Sequence, residues 1–255
     1  MEYFQGFIFP GVVSVERGVA VIYNVGVKKY FLIALGLGTA ACASSTDPVE
    51  RGASRFVGLG CVSCHRVGER GGGQAGPDLT TTGLRHSKEW LDLWMKAPKE
   101  WKPNTTMPSL KLKDNVRGEL VAYLATLRGE SYRQKPPWNS PSLRTDPVKR
   151  GEIIYSRAGC VACHGFRGQG GFPNNNVVGN KIPSLTMARE KFTKEELIDR
   201  IRLGRTPVPA DPALPPPMIA MPAWGDYLTS DEMDDLASYI FSFRPTDKPG
   251  EGWFE

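Results

Sequence analysis

Strict polar–apolar alternation is missing from this chain. No run keeps a period of two, so β-sheet is not expected to matter. Any block of like charge is missing as well. Lys and Arg number 32 against 27 Asp and Glu, for a net charge of +5 and a pI of about 8.9. The basic residues form no stripe and no ladder with interleaved aromatics, which excludes nucleic acid as a partner. No catalytic triad, Walker loop or paired-carboxylate motif occurs. Histidine and cysteine are scarce, three and five in 255 residues. Six of those eight fall in two pentapeptides, Cys61-Val-Ser-Cys64-His65 and Cys160-Val-Ala-Cys163-His164.

What is present is an ordinary globular composition, 40% hydrophobic and 23% charged, with 28 glycines and 21 prolines. The length suits one or two domains, and the glycine and proline content predicts loops and short helices.

Residues 28–41 read as a targeting segment. Lys28 and Lys29 precede the apolar run 30–41, which ends in small residues before Cys42. A basic start, a short apolar stretch and small residues describe a secretory signal peptide. The run is shorter than the ~20 apolar residues that cross a bilayer. Thr39-Ala-Ala-Cys42 resembles the lipobox of bacterial lipoproteins, whose cysteine is acylated and becomes the new N-terminus, although Thr39 stands where that motif prefers leucine. Cys42 is therefore expected to be a lipid anchor, holding the protein to a membrane on the periplasmic side of the cell envelope. Cleavage within 41–44 without a lipid is the alternative. Residues 1–26 are foreign to such a peptide, and the true start is expected near Val25 or Val27.

Beyond residue 44 the chain repeats itself. Asp47-Pro-Val-Glu-Arg-Gly52 matches Asp146-Pro-Val-Lys-Arg-Gly151, Phe56 matches Tyr155 and Gly60 matches Gly159. The two pentapeptides follow, all at an offset of 99 residues. Glu119-Leu-Val-Ala-Tyr123 matches Asp235-Leu-Ala-Ser-Tyr239 at an offset of 116, as does Arg128 with Arg244. The duplication divides the chain into a leader (1–44), a first unit (45–128), a linker (129–145), a second unit (146–246) and a tail (247–255). Pro136, Pro137 and Pro141 make the linker read as stiff and extended.

Each unit is helical in outline. Residues 119–127 and 232–243 space apolar side chains at three and four. Thr229-Ser-Asp-Glu232 and Thr193-Lys-Glu-Glu196 are capping boxes, the latter opening a helix that stops before Gly204. Ser87 can cap a helix carrying Trp90, Leu91 and Trp94.

Two CxxC pairs have three common uses. Disulfide redox motifs lack a systematic following histidine. A zinc site of four thiolates leaves His65 and His164 as coincidences. Covalent haem attachment uses every residue. Two thiols on one face of a helical turn form thioethers with two vinyl groups, and the adjacent imidazole ligates iron.

On these residues each half resembles a class I cytochrome c domain. The first offers Gly52, Phe56, Cys61, Cys64, His65, Pro77, Met107-Pro108 and Tyr123. The second offers Gly151, Tyr155, Cys160, Cys163, His164, Pro183, Met221-Pro222 and Tyr239. The resemblance implies an all-α fold of two tandem cytochrome c domains with one covalent haem c each. It implies that the Pro77 and Pro183 carbonyls accept the Nδ1–H of His65 and His164, and that the terminal helix of each half crosses the first near Gly52 or Gly151. It implies iron ligation by His65 and Met107, and by His164 and Met221. With three histidines, bis-histidine ligation of both haems is impossible within the chain. Met95 is expected in the core and His86 in solvent before its helix. Met187 and Met218 are the competitors of Met221.

The halves differ. His65 and Pro77 are 12 residues apart, His164 and Pro183 19, and six prolines crowd 207–217. Such loops are either plain insertions or a docking surface over the second haem. A haem with two protein axial ligands offers no open position, so the chain is expected to carry electrons and not to be an enzyme. Its expected partners are redox proteins of respiratory-chain complexes, with no small-molecule substrate. The enzymatic alternatives fit poorly. A dihaem peroxidase needs an iron that opens to peroxide, and a thiosulfate dehydrogenase relies on a cysteine ligand that this chain lacks outside its leader.

Overall fold

The structure is a computed structural model that describes residues 45–72 and 75–244. Cys42, with the rest of the leader, and the tail lie outside the described residues. The described chain is helical, with isolated β-bridges and no strand among the described residues.

The first half runs α1 (Pro48–Gly58), α2 (Thr82–Arg85), α3 (Lys88–Lys96), α4 (Pro98–Trp101) and α5 (Asp114–Thr126), followed by a short α6 (Glu130–Gln134). The second runs α7 (Pro147–Arg157), α8 (Cys160–His164), α9 (Ala188–Lys191), α10 (Lys194–Leu203) and α11 (Ser230–Ile240). The repeated Asp-Pro dipeptides start equivalent helices. The Asp47 carboxylate accepts from the Val49 N–H and the Asp146 carboxylate from the Lys149 N–H, both at 2.9 Å, and the proline fits the first turn, where its missing N–H is no loss. Both capping boxes are formed, and Ser87 accepts from the Trp90 N–H.

In each half the first helix crosses the last at a glycine. A Cβ on Gly52 would run into the Glu119 carbonyl and the Tyr123 Cβ. One on Gly151 would meet the Asp235 carbonyl and the Tyr239 Cβ. No residue larger than glycine lets the backbones meet this closely. The repeat also keeps an ion pair across the crossing, Arg51–Glu119 at 2.7 Å and Arg150–Asp235 at 2.5 Å.

The linker expected to be stiff and extended is a packed strap. It contains α6 and a 3-10 turn at Pro141–Leu143, and it buries Tyr132 and Trp138 in the core of the second half beside Ile154 and Leu236. The Trp138 indole donates to Glu232 Oε1 at 2.6 Å. The prolines that suggested an extended spacer interrupt helix without preventing the neighbouring aromatics from finding a core.

The halves touch through buried polar groups. Thr81 donates its hydroxyl to the Ala158 carbonyl at 2.6 Å. The Asp78 carboxylate takes Arg157 Nε at 3.0 Å and the Tyr132 hydroxyl. The first half's core also admits Phe172 and Ile219 of the second.

Candidate functional site

The first CxxCH follows α1 through Gly60, whose φ of +76° turns the chain into a 3-10 turn at Cys61–Ser63. His65 Nδ1 donates to the Pro77 carbonyl at 3.0 Å, which leaves Nε2 unprotonated. Burial holds the imidazole below its ordinary pKa, so it is neutral at neutral pH and able to ligate a metal. Gly76 lies flat against the ring, where a Cβ would come within 2.6 Å of Nδ1.

Beside His65 opens a largely apolar cavity of about 330 Å³. Cys61, Cys64 and His65 line it together with Met107. Along α3 and its approach, His86, Trp90 and Trp94 stand four residues apart and stack in a column, with ring centroids 3.7 and 5.3 Å apart. The column ends at Met107, whose sulfur accepts from the Trp94 indole at 3.0 Å. His86, expected in solvent, is half-buried in this column, with its Nδ1 shielded from water. Burial drives its pKa well down, and its Nδ1 and the Trp90 Nε1 have no hydrogen-bond partner. Stacking on Trp90 outweighs the exposure expected of a residue preceding a helix. Met95 is buried in the core, as expected.

The second CxxCH occupies α8, which brings Cys160 and Cys163 to one helical face. Burial pushes the Cys160 thiol up to about 12 and raises Cys163 too, while the nearby Arg85 guanidinium lowers both. His164 is half-buried, and the desolvation of its ring lowers its pKa. Its Nδ1 makes no hydrogen bond, so the bond expected to the Pro183 carbonyl is not formed, although that carbonyl opposes the lowering of the pKa. Met221 packs with the core cluster that takes in Cys160 and Leu185, and its backbone bridges to Arg205. Met218 packs with the cluster that takes in Cys163 and Phe172. Met187 is exposed.

The long loops of this half are clasped by three consecutive asparagines. Asn174 pairs both ways with the Ile219 backbone, at 2.9 and 3.2 Å. Asn175 holds the Pro216 carbonyl and the Met218 N–H. Asn176 holds the Pro215 carbonyl and the Asp211 N–H.

Residues 49–128 match the family model described as cytochrome c, and residues 146–240 match that described as cytochrome c oxidase, cbb3-type, subunit III. The chain is a tandem dihaem c-type cytochrome. Among solved structures, the cytochrome is similar to a chain of the Kuenenia stuttgartiensis reducing HAO-like protein complex Kustc0457/Kustc0458. That match has 18% identity, covers 77% of this chain and 96% of the other, and has a TM-score of 0.28. No curated protein matches the cytochrome.

Its residues fit two haem c groups, one in each half. The first cavity is apolar where a porphyrin face requires it and carries an imidazole and a thioether in its wall. Its lining also includes Arg85 and Trp90, whose guanidinium and unpartnered indole N–H are donors of the kind that haem carboxylates require. In the second half two thiols and a half-buried imidazole repeat the donors of the first motif. Cytochrome c domains of this kind serve electron transfer.

Proposed function

We propose that the cytochrome passes single electrons between protein partners at the periplasmic face of the cell envelope, as a bound subunit of a respiratory complex, anchored through an acylated Cys42. Bound haem supplies one-electron Fe(III)/Fe(II) chemistry. Cys61, Cys64, Cys160 and Cys163 would hold it covalently, and His65 with Met107 and His164 with Met221 would fill its axial positions. The observation that carries this reading is the presence of His65 and Met107 in the wall of one cavity. With both axial positions taken by side chains, no position remains for a substrate, and thioether sulfur favours the reduced iron. Pro77 orients His65, Trp94 orients Met107, and the apolar wall excludes water. The subunit assignment is supported by the match of residues 146–240 to a family described as an oxidase subunit.

Four experiments test it. Intact mass after acid denaturation should show two haems, and Cys61→Ser with Cys64→Ser should remove one. Met107→His and Met221→His should each lower one redox wave and remove about half of the sulfur-to-iron charge-transfer band. A band untouched by Met221→His makes Met218 or Met187 the ligand. Cys42→Ser should release the protein from native membranes, and a wild-type protein wholly soluble in the periplasm refutes the anchor. Copurification with an oxidase from those membranes supports the subunit role, and an isolated monomer argues for a shuttle.

A further inference from the structure

The loop between His164 and Pro183 spans 19 residues where its counterpart in the first half spans 12. Its two aromatic side chains part ways. Phe166 is 51% exposed and Phe172 only 6%. Phe172 joins the core of the first half rather than that of its own. Its ring centroid lies 6.2 Å from that of Trp90 and 5.7 Å from that of Trp94, two members of the column that ends at Met107. Phe172 also lines the cavity whose wall contains His65 and Met107.

The backbone fixes this crossing. Gly171, with a φ of +86°, donates its N–H to the Ile182 carbonyl at 2.9 Å, and the Phe172 carbonyl accepts from the Ile182 N–H at 2.7 Å. The main chain thus stays tied to the residue before Pro183 while the ring enters the first half. A second side chain takes the same route. Ile219, 4% exposed and two residues before Met221, lies in the first half's core as well. Asn174, itself buried, joins the two insertions through its paired bonds to the Ile219 backbone. Residues 66–76, the matching loop of the first half, contain no aromatic, so the contribution runs in one direction.

We propose that Phe172 supplies the wall that the first haem site lacks within its own half, so that the longer loop of the second half keeps water from the first haem. Oxidised haem carries one more positive charge than reduced haem. Water beside it stabilises that charge, and a dry wall therefore raises the reduction potential. The extra length after the second CxxCH serves the other haem, and Asn174 holds it in place. This rests on haem attachment at Cys61 and Cys64, which intact mass scores separately.

The test is a spectroscopic redox titration of the dihaem protein carrying Phe172→Ser and, separately, Phe172→Leu. Met107→His marks which wave belongs to the first haem, and helicity and intact mass confirm the fold and the two haems. Phe172→Ser, which admits water, should lower the first wave and move the second by less. Phe172→Leu, which keeps the wall apolar, should lower the first wave by less than serine does. A first wave that stays in place in the serine variant overturns the proposal. So does a second wave that moves further than the first, because the loop then serves its own haem. A leucine variant that shifts as far as the serine variant also overturns it, because the ring then acts by shape and not by excluding water. If Phe172→Ser does not fold or loses a haem, Asn174→Ala, which releases the Ile219 loop, decides alone. A fall mainly in the first wave supports the shared wall, and a first wave that stays in place or moves less than the second refutes it.

Discussion

Trp94 donates its indole N–H to the sulfur of Met107 at 3.0 Å, thirteen residues along the chain. A thioether has two lone pairs, and an N–H drawn to one makes the sulfur a poorer donor through the other. Trp94→Phe keeps the stacked ring and removes the hydrogen bond. With Met107 as axial ligand, the first haem's potential should fall by roughly 20–40 mV, the one-electron equivalent of ~0.5–1 kcal/mol for a weak hydrogen bond. The second wave should stay in place. A redox titration that shows no change at the first haem rules out Met107 as a ligand tuned by Trp94.

The helix crossings invert the usual sign of a glycine substitution. Alanine in place of glycine within a helix normally stabilises by about 0.5–1 kcal/mol. At Gly52 or Gly151 the new methyl meets a carbonyl oxygen of the opposing helix. Each substitution should therefore cost ~1–3 kcal/mol or more through overpacking. Gly118 in α5 is the control, because nothing lies within 4 Å of its would-be Cβ. Urea midpoints should fall for the first two variants and rise for the third.

A flexible linker would tolerate loss of an aromatic, and the strap will not. Trp138 is 4% exposed, and its indole donates to the equally buried Glu232. Trp138→Ala should cost ~3–5 kcal/mol, as large-to-small core changes do. A change below ~0.5 kcal/mol, typical of a surface position, would mean that the strap is detached in solution.

Tyr132 should give the protein an alkaline limit. Burial first, then the Asp78 carboxylate, raises its phenol well above the ordinary value. The folded state therefore keeps this proton where the unfolded chain releases it. The stabilisation is complete below about pH 10, the ordinary tyrosine pKa, and is lost as pH rises beyond it. Tyr132→Phe should be less stable at neutral pH by ~1.5–3 kcal/mol, the range for a hydrogen bond to a charged group. It should also lose stability less steeply above about pH 10. Equal slopes for the two proteins would mean that the hydroxyl is not buried against Asp78. Tyr239, pushed up to about 12 by burial, leaves part of the slope in both.

Local signals in the sequence were legible because their causes are local. The Asp-Pro starts, the two capping boxes and Ser87 depend on residues within four positions of one another, and each forms as its spacing predicts. The CxxCH pairs and the repeat pointed to one haem c in each half, and the glycines of the repeat located both crossings. Other features have no local signature. Arg85 reaches Gly159 across 74 residues of chain, and nothing in the repeat marks it, since the contact joins the two copies instead of recurring within each. His86 was misplaced because position before a helix says nothing about a tryptophan one turn later. Trp138 and the preceding Tyr132 were hidden by the nearby prolines, whose composition signals a linker whatever the neighbouring aromatics pack against.

The asparagine clasp in the second half contains no charge. Its amides neither titrate nor attract counter-ions, so changes in pH or ionic strength leave these bonds in place. Salt screens encounters between charged proteins over a Debye length of ~10 Å at 0.1 M. Were a partner to dock on this face, that screening would alter how often it arrives without altering the bonds that hold the loops. The loops are ordered during folding, so a docking protein is spared the ~0.5–1.5 kcal/mol that each newly immobilised side chain costs an interface. Short-lived contacts then need little area, and the speed of release can be set by the partner's own surface.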